Sequence, residues 1–281
     1  MNVLDYTNSR DFIYKDSPTI VTIGNFDGFH KGHRILIEWL NETKLHIGAK
    51  SLVFSFRPRP VEVFNNTRIK SILSTAERVE IANSLGVDIL MEYPFSLEFS
   101  RMSGEEFIKN VLIEQLGCKW IVVGEGFAFG KDRAWYAAKI SEICAKLGIE
   151  FIALPHKLMD NKKISSTNIR EYLKSGEIKK ANMLLGYDYY VLGELRKISE
   201  KKTMLTIAVD EQKLLPESGR YISEISLKNG KKFQSTVDVD DKMSMLYISL
   251  PVEHGDNNFS SLYCGDTIIV NFQDYAGGKI K

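Results

Sequence analysis

The segment IGNFDGFHKGH, residues 23–33, places glycines, an aspartate and two histidines directly after the apolar run TIVTI. Gly24 and Gly28 allow the backbone to turn sharply and to approach a ligand closely. His30 and His33 flank the predicted start of a helix, where free N–H groups and the helix dipole favour a phosphate group. The segment therefore predicts a site that binds phosphate or a nucleotide.

Plainer interpretations account for parts of this segment. A histidine at a helix start can be a surface residue, and two glycines can simply form a turn. Zinc binding fits poorly because no third ligand lies nearby. The run GEGFAFGKD at 124–132 lacks the glycine spacing of a P-loop and has Asp132 where Ser or Thr is required. For the whole string at a strand end, phosphate binding is favoured, with Gly32 leaving room for a base or ribose.

A second cluster, ISSTNIR, contains Ser165, Ser166, Thr167 and Arg170 at the predicted start of another helix. Capping of that helix would need one hydroxyl. It does not explain three hydroxyls and an arginine about one turn further on. The cluster therefore predicts a second set of phosphate ligands.

Composition limits the kind of protein this can be. The chain has 281 residues, is 44% apolar and 26% charged, and has a formal net charge of +1. No strong field for nucleic acid or membrane is implied. The cysteines, Cys118, Cys144 and Cys264, form no C-x-x-C pair. No signal peptide or membrane-spanning run is evident, so we expect a cytoplasmic protein.

Apolar strands alternate with amphipathic helices through the first two thirds of the chain. This order predicts a Rossmann-like, doubly wound parallel α/β domain over roughly residues 15–185. Short segments separated by Gly, Asn and Asp turns follow Gly186 and predict a small antiparallel β-barrel. We therefore expect domains over 1–186 and 187–281. The predicted strands of the first domain are 17–26, 51–56, 87–94, 119–124 and 149–155, and its helices are 34–48, 74–86, 103–117 and 136–147.

Four motifs in register across about 160 residues resemble the bacterial bifunctional riboflavin kinase/FAD synthetase family, which lies in the nucleotidylyltransferase superfamily. The first motif is G-x-F-D-G-x-H-x-G-H, matched by Gly24 to His33, and the last is S-S-T-x-I-R, matched by Ser165 to Arg170. Between them are F-x-P-x-P, matched by Phe56, Pro58 and Pro60, and V-G-x-x-F-x-F-G, matched by Val123, Gly124, Phe127, Phe129 and Gly130.

The resemblance implies the reaction ATP + FMN → FAD + pyrophosphate, with Mg²⁺ and with small-molecule partners rather than nucleic acid or membrane. No protein metal ligand is predicted. The resemblance and the motifs assign catalysis to His30, His33, Ser165 and Arg170. They assign the nucleotide to Gly24, Asn25, Phe26, Asp27, Gly32, Ser166 and Thr167. The rigid apolar side chains expected to contact the flavin are Phe56, Pro58, Pro60, Phe64, Phe127 and Phe129, of which at least half should also belong to the core.

Two residues of the first domain depart from the family pattern. Gly126 replaces the usual Asp or Asn, which removes a polar side chain near the flavin. Arg59 replaces a common His and adds a cation that could either bind FMN phosphate or simply be solvated.

The second domain departs further from the family. In place of P-T-A-N the chain has Leu205, Thr206, Ile207 and Ala208, and LYISL at 246–250 lacks the expected catalytic Glu. We expect a barrel without kinase chemistry. The alternatives are a bifunctional enzyme, a non-catalytic paralogue that binds flavin or nucleotide, and adenylyl transfer to another acceptor.

Overall fold

The computed structural model describes residues 2–5, 17–130, 135–155, 158–159, 162–201, 203–250 and 262–277. The chain forms two compact units. The first consists of Met1–Ile69 and Arg78–Ile164, and the second of Lys70–Glu77 and Ser165–Lys281. The functional division at residue 186 stays a prediction.

The first unit is built on a six-stranded parallel sheet, which confirms the predicted α/β class. The strand order is β1-β4-β3-β2-β5-β8. All five residues of β2 are buried, as expected for a strand covered on both faces. The strands are β1 (Asn2–Asp5), β2 (Thr19–Ile23), β3 (Lys50–Phe56), β4 (Ile89–Tyr93), β5 (Cys118–Gly124) and β8 (Glu150–Leu154).

Helices and one short hairpin connect these strands, and a second short hairpin follows β8. The hairpins are β6 (Ala128–Phe129) with β7 (Trp135–Tyr136), and β9 (Leu158–Met159) with β10 (Lys162–Lys163). The helices are α1 (Lys31–Ile47), α2 (Pro60–Asn65), α3 (Thr75–Ser84), α4 (Gly104–Glu106), which continues as a π-helical segment over Phe107–Gln115, and α5 (Ala137–Lys146).

Local sequence signals explain where several helices begin and end. The capping box predicted at Ser103 is confirmed, since its side chain accepts a bond from the backbone N–H of Glu106 and the Glu106 carboxylate accepts one from Ser103 N–H. The equivalent pair at Ser74 and Glu77 is also present, with distances of 2.8 and 3.3 Å. Gly48 ends α1 at φ 65°, a conformation that glycine adopts without strain.

The second unit contains two helices and a closed antiparallel barrel, which confirms the predicted barrel class. Its strands follow the order β11-β12-β15-β14-β13-β16. Alternate residues are buried along β12 and β13, so apolar side chains fill the interior. The elements are α6 (Ser166–Lys174), α7 (Ile178–Leu185), β11 (Tyr190–Ile198), β12 (Met204–Val209), β13 (Gly219–Ser226), β14 (Lys232–Asp240), β15 (Met245–Ser249) and β16 (Thr267–Gly277).

The cysteines are free thiols in contrasting environments. Cys118 and Cys144 are buried in the first unit, whereas Cys264 is exposed just before β16. Burial raises the pKa of the Cys144 thiol to about 11 and raises that of Cys118 further. None of the helices that the structure describes is both long and apolar enough to cross a membrane.

A buried ion pair organises the second unit around the segment Lys70–Glu77. The Lys213 ammonium is fully buried and lies 2.6 Å from Glu77 Oε2. It also donates to the carbonyls of Ile72 at 2.6 Å and Tyr190 at 2.8 Å. The other oxygen of Glu77 accepts the backbone N–H of Leu192 at 2.8 Å. These bonds tie the segment to β11 and compensate the desolvation of both charges.

Lys213→Met is expected to destabilise the second unit by about 3–5 kcal/mol, because it leaves the Glu77 carboxylate buried without its cation. Urea unfolding of the full chain, followed by a signal from the barrel, measures the effect. The matched control is Lys232→Met, which removes an exposed partner of Glu224 and should cost less than about 1 kcal/mol. Equal losses in the two variants would contradict the role assigned to the buried pair.

Candidate active site

The loop between β2 and α1, residues 24–30, leaves the carboxyl end of a central strand, where ligands bind in open α/β sheets. Its backbone is unusual because Phe26 and Phe29 have φ values of 43° and 39°. Side-chain-bearing residues rarely adopt this region, and each such residue costs on the order of 1–3 kcal/mol. Gly28, at φ 94°, supplies a third left-handed position without that cost. The surrounding structure must therefore hold this loop in place.

His30 ends the loop as the N-cap of α1. Its Nδ1 accepts a hydrogen bond from the backbone N–H of His33 at 3.2 Å. An imidazole nitrogen that accepts carries no proton, so the neutral ring of His30 holds its proton on Nε2. Gly32 lies beside this ring, and a Cβ there would be 3.2 Å from Cε1 and Nδ1 of His30. Glycine at this position thus allows the ring to lie close to the helix backbone.

The two histidines that the sequence singled out form a stacked pair. Their ring centroids are 3.6 Å apart and the planes differ by 14°. Phe26 packs against the His33 ring at 4.7 Å. Phe26 itself has no exposed surface, so its side chain supports His33 from the core, and only its backbone could line a pocket. The Nδ1 atom of His33 is shielded from solvent and has no hydrogen-bond partner among the residues described.

Both imidazoles are neutral at pH 7. Burial lowers the pKa of His30 to about 4, although a hydrogen bond to its own backbone and the charge of nearby Asp27 favour the proton. Burial also lowers the pKa of His33, and His30 and Arg78 add to the effect. The pair can therefore donate hydrogen bonds without placing a positive charge in the site.

Asp27 is buried in the same loop and pairs with Arg59. The Nη2 atom of Arg59 lies 3.0 Å from Asp27 Oδ2, and the two side chains are 9% and 1% exposed. The expectation that Arg59 might be a solvated cation is wrong, because the guanidinium is buried against this carboxylate. The site thus contains a buried ion pair at the position where the sequence departs from the family that it resembles.

Arg78 on α3 is a site residue that the sequence analysis missed. Its Nη1 donates to the carbonyl of Asn25 at 3.1 Å and its Nη2 to Ser55 Oγ at 2.8 Å. Helical spacing could have indicated it, since Arg78 precedes the buried residues Ile81 and Ala82 by three and four positions. An arginine on the apolar face of a helix needs buried polar partners.

The aromatic side chains assigned to the flavin belong to one cluster in the first unit. Phe56, Phe127 and Phe129 are partly buried and pack on the core, as expected for at least half of the set. Phe64 is 59% exposed, and its ring lies 5.6 Å from that of Phe95. Pro58, after a cis peptide bond, is exposed and Pro60 is half-buried. The cluster therefore combines aromatic side chains that are fixed against the core with an aromatic surface that is accessible to a ligand.

Trp135 fixes one end of this cluster. Its ring stacks on Phe129 with centroids 6.0 Å apart. A Cβ at Gly104 would lie 2.1 Å from Cδ2 of Trp135, so the indole lies directly against the backbone at the start of α4. The ammonium of Lys139 covers the ring at 4.4 Å from its centroid. The β6–β7 hairpin is thereby anchored, and Phe129 with it.

The second cluster lies at the N-terminus of α6, in the second unit. Ser165 is the N-cap, and its hydroxyl accepts the backbone N–H of Asn168 at 3.2 Å. Ser166 and Thr167 occupy the first turn, where Thr167 is exposed. Arg170 Nη1 donates to the carbonyl of Ser166 at 3.4 Å. As the sequence suggested, capping uses one of the three hydroxyls.

The structure thus groups the predicted residues into three sets. The β2–α1 loop brings Gly24, Asn25, Phe26, Asp27, His30, Gly32 and His33 together. The aromatic cluster contains the four phenylalanines assigned to the flavin, and Pro58 and Pro60 follow one of them, Phe56, in the sequence. The N-terminus of α6 carries Ser165, Ser166, Thr167 and Arg170. Across the described parts of the chain, no three His, Cys, Asp or Glu side chains converge to hold a metal ion.

Comparison with known proteins identifies relatives over most of the chain. The family model described as FAD synthetase matches residues 13–168. A bifunctional riboflavin kinase/FMN adenylyltransferase of Buchnera aphidicola subsp. Schizaphis graminum is 34% identical over 235 residues, covering 82% of this chain and 75% of the relative. The protein of the same name from Listeria monocytogenes is 29% identical over 215 residues, covering 74% of this chain and 68% of the relative. The corresponding Escherichia coli K12 protein is 28% identical over 177 residues, and the match spans 56% of its length.

A solved structure has the same fold. It is titled a macrolide-efflux protein from Streptococcus pneumoniae, with a TM-score of 0.85, 23% identity, and coverage of 100% of this chain and 92% of that one. At this identity the likeness concerns the fold alone. The family-model match covers more than half of the 281 residues, and the motifs at Gly24–His33 lie within it. The chain therefore belongs to the FAD synthetase family.

Proposed function

We propose that the protein transfers the adenylyl group of ATP to FMN and releases FAD and pyrophosphate. The observation that carries this proposal is the stacked, neutral pair of His30 and His33 at the N-terminus of α1, inside the region that matches the family. Free backbone N–H groups at that helix end add further donors for phosphate oxygens.

The reaction needs positioning more than covalent chemistry. A phosphate oxygen of FMN forms a bond to the α-phosphorus of ATP as the bond from that phosphorus to pyrophosphate breaks. Charge develops on the non-bridging oxygens and on the leaving group. His30 Nε2–H would donate to one of these oxygens. His33 would support the His30 ring by stacking on it, and its Nδ1, which has no partner among the described residues, would be available for a further hydrogen bond. Fixed donors of this kind stabilise transition-state charge without reorganisation.

The remaining nucleotide contacts come from the other predicted residues. Gly24, Asn25, the backbone of Phe26, Asp27 and Gly32 would surround the nucleoside and its α-phosphate. Ser165, Ser166, Thr167 and Arg170 would hold the β- and γ-phosphates, for which hydroxyls, helix N–H groups and a guanidinium are suitable ligands. The exposed side chain of Thr167 supports this assignment.

The aromatic cluster would bind the isoalloxazine ring. Phe64, exposed on α2, supplies accessible surface beside the half-buried Phe56 and Pro60 and the exposed Pro58. Phe127 and Phe129 form the part of the surface that Trp135 anchors. Gly126, also exposed, offers no side chain to hydrogen-bond the flavin, so stacking and shape would carry most of the affinity.

Mg²⁺ would arrive as the complex with ATP. This ion typically keeps several waters and binds through phosphate oxygens, so it requires no protein cage. We further propose that residues 1–186 form the adenylyltransferase domain and that the protein acts in the cytoplasm.

We propose that the barrel over 187–281 does not phosphorylate riboflavin. On β12, Leu205 faces the filled interior and Thr206 is half-buried on the other face. Ala208 provides no amide where the family pattern has the Asn that holds ATP and magnesium. β15, Met245–Ser249, carries no carboxylate where the catalytic Glu is expected. The barrel would then retain its shape without the groups that kinase chemistry needs.

A bifunctional enzyme is the second candidate, because the relatives are named as bifunctional. The match to the Buchnera protein covers 82% of this chain, so it extends past residue 186 wherever it begins. Both candidates transfer the adenylyl group of ATP to FMN. They differ only in whether the protein also phosphorylates riboflavin to FMN.

Purified protein with ATP, FMN and Mg²⁺ is expected to form FAD and pyrophosphate, measured by chromatography and a pyrophosphate assay. His30→Ala should lower kcat about a hundredfold to a thousandfold, as removal of one transition-state donor does elsewhere. His46→Ala, an exposed histidine in the last turn of α1, is the control and should keep full activity. Tight binding of FAD or ATP without turnover would instead indicate a non-catalytic paralogue.

Stability is expected to fall as the pH drops from about 6.5 towards 4. The pKa of His30 is about 4 in the folded chain, below the ordinary value of 6.5. The unfolded chain therefore binds a proton in this window that the folded chain does not, which costs up to about 3 kcal/mol. Urea unfolding at several pH values measures it. The slope should be clearly smaller in His30→Ala, and an unchanged slope would contradict the neutral state of His30.

Riboflavin with ATP and Mg²⁺ is expected to give neither FMN nor FAD above the level of a protein-free control. The same preparation must convert added FMN to FAD, which shows that it is active. Formation of FMN and FAD from riboflavin at a summed rate comparable with that of FAD formation from FMN would overturn the proposed loss of kinase activity and favour the bifunctional enzyme.

A further inference from the structure

Two buried arginines hold the β2–α1 loop from two neighbouring segments. Arg59, at the N-cap of α2, pairs with the Asp27 carboxylate at 3.0 Å. Arg78, from α3, donates to the Asn25 carbonyl at 3.1 Å. Between these two held residues lies Phe26, at φ 43°. The strained residue is thus fixed on both sides by contacts from outside its own loop, which is how such a conformation persists.

The segment that carries Arg59 is itself firmly held. The backbone N–H of Arg59 donates to Glu62 Oε2 at 2.8 Å, and the N–H of Ile69 donates to Glu62 Oε1 at 2.8 Å. This segment leads into α2, which carries the exposed Phe64. The Arg59–Asp27 pair therefore links the loop that holds the histidines to the segment that presents the aromatic surface.

We propose that Arg59 is a positioning residue for adenylyl transfer, whose pairing with Asp27 holds the β2–α1 loop in its ATP-binding conformation and couples it to the flavin-side segment. The inference rests on the proposed function. Arg59 has this role because it is buried and paired with Asp27. It does not serve as a surface cation for FMN phosphate. A shorter imidazole at this position would lack the forked, permanently charged group that reaches Asp27 here.

The charges around Asp27 determine what loss of Arg59 would do. Asp27 is faced by Arg59 from the β3–α2 side, by Arg78 from α3 and by the neutral His30 from its own loop. Arg78 also pairs with Glu92, at 3.1 Å, so its charge is shared. Without Arg59, the buried Asp27 carboxylate would lose the cation that lies 3.0 Å from it, and an unpaired buried charge is costly. The loop that carries Asp27 would then be held less firmly in its ATP-binding conformation.

The test compares Arg59→Met and Arg59→Lys with the wild type. The probe is ATP with a methylene group between the α- and β-phosphates, and its Kd is measured by calorimetry at pH 8, where its phosphates are ionised. Arg59→Met is expected to weaken binding at least about tenfold, since it breaks a buried charge pair. Arg59→Lys retains the charge and should recover part of the affinity.

Two further variants separate positioning from general loss of structure. Arg220→Met removes the exposed pair with Asp238 and should leave the probe Kd and kcat unchanged. Asp27→Asn combined with Arg59→Met removes the unpaired carboxylate, so it should bind the probe more tightly than Arg59→Met alone. If Arg59→Met is too unstable to purify, Arg59→Lys and the double variant decide the question by the same measurements of Kd and kcat.

The outcomes distinguish this inference from the proposed function. A wild type that forms no FAD, but whose probe affinity depends on Arg59 as described, would reject the function and keep the positioning role. A wild type that forms FAD, with Arg59→Met matching it in probe Kd and kcat, would reject the positioning role. A lower melting temperature with unchanged Kd and kcat would reduce Arg59 to a purely structural residue and also overturn the inference.

Discussion

The conformation of the β2–α1 loop is the constraint on which the candidate site depends. Phe26 and Phe29 occupy left-handed backbone conformations that their side chains disfavour, so the loop cannot be maintained by local preference. Burial of both rings and two guanidinium contacts supply the compensation. The loop ends at residue 30, which places His30 at the N-cap of α1. The histidine stack and the single protonated nitrogen of His30 follow from that geometry.

Each compact unit uses buried charge to hold a segment of irregular backbone. In the first unit, arginines bind a carbonyl and a carboxylate of the β2–α1 loop. In the second, Lys213 binds two carbonyls and the Glu77 carboxylate beside the segment Lys70–Glu77. Buried ion pairs contribute little net stability, but removing one partner is costly. Such pairs therefore specify a conformation more effectively than they stabilise a fold. Here the two pairs, Arg59–Asp27 and Lys213–Glu77, lie next to backbone that no regular pattern of β-sheet hydrogen bonds supports.

The sequence predicted the regular elements well because their signals are local. Continuous apolar runs gave β2 to β5 and β8, and paired Ser and Glu residues gave the starts of α3 and α4. β1 was missed because a four-residue edge strand in a polar segment carries no periodic signal. The hairpin β6–β7 was missed because two-residue strands carry even less. These short strands form because they pair with other strands, and the pattern of residues within one segment does not reveal that pairing.

The candidate site was predictable as a set of residue types and unpredictable as a set of contacts. The spacing of His30 and His33 indicated a helix N-terminus, and the structure has one there. Their stacking depends on Phe26 behind the second ring, and spacing alone does not indicate it. Arg59 was recognised as a departure, but its partner Asp27 lies 32 positions away. Arg78 carried a usable signal in its position on the buried face of α3.

The three thiols of the chain differ sharply in their access to reagents. Cys118 and Cys144 are enclosed by the core, and their raised pKa values keep them protonated, whereas Cys264 lies at the surface beside the carbonyl of Arg196. A maleimide applied to the native chain should therefore attach at one position, on the barrel. The natural sequence already provides a unique attachment point for a dye or spin label, without any substitution in the sheet domain.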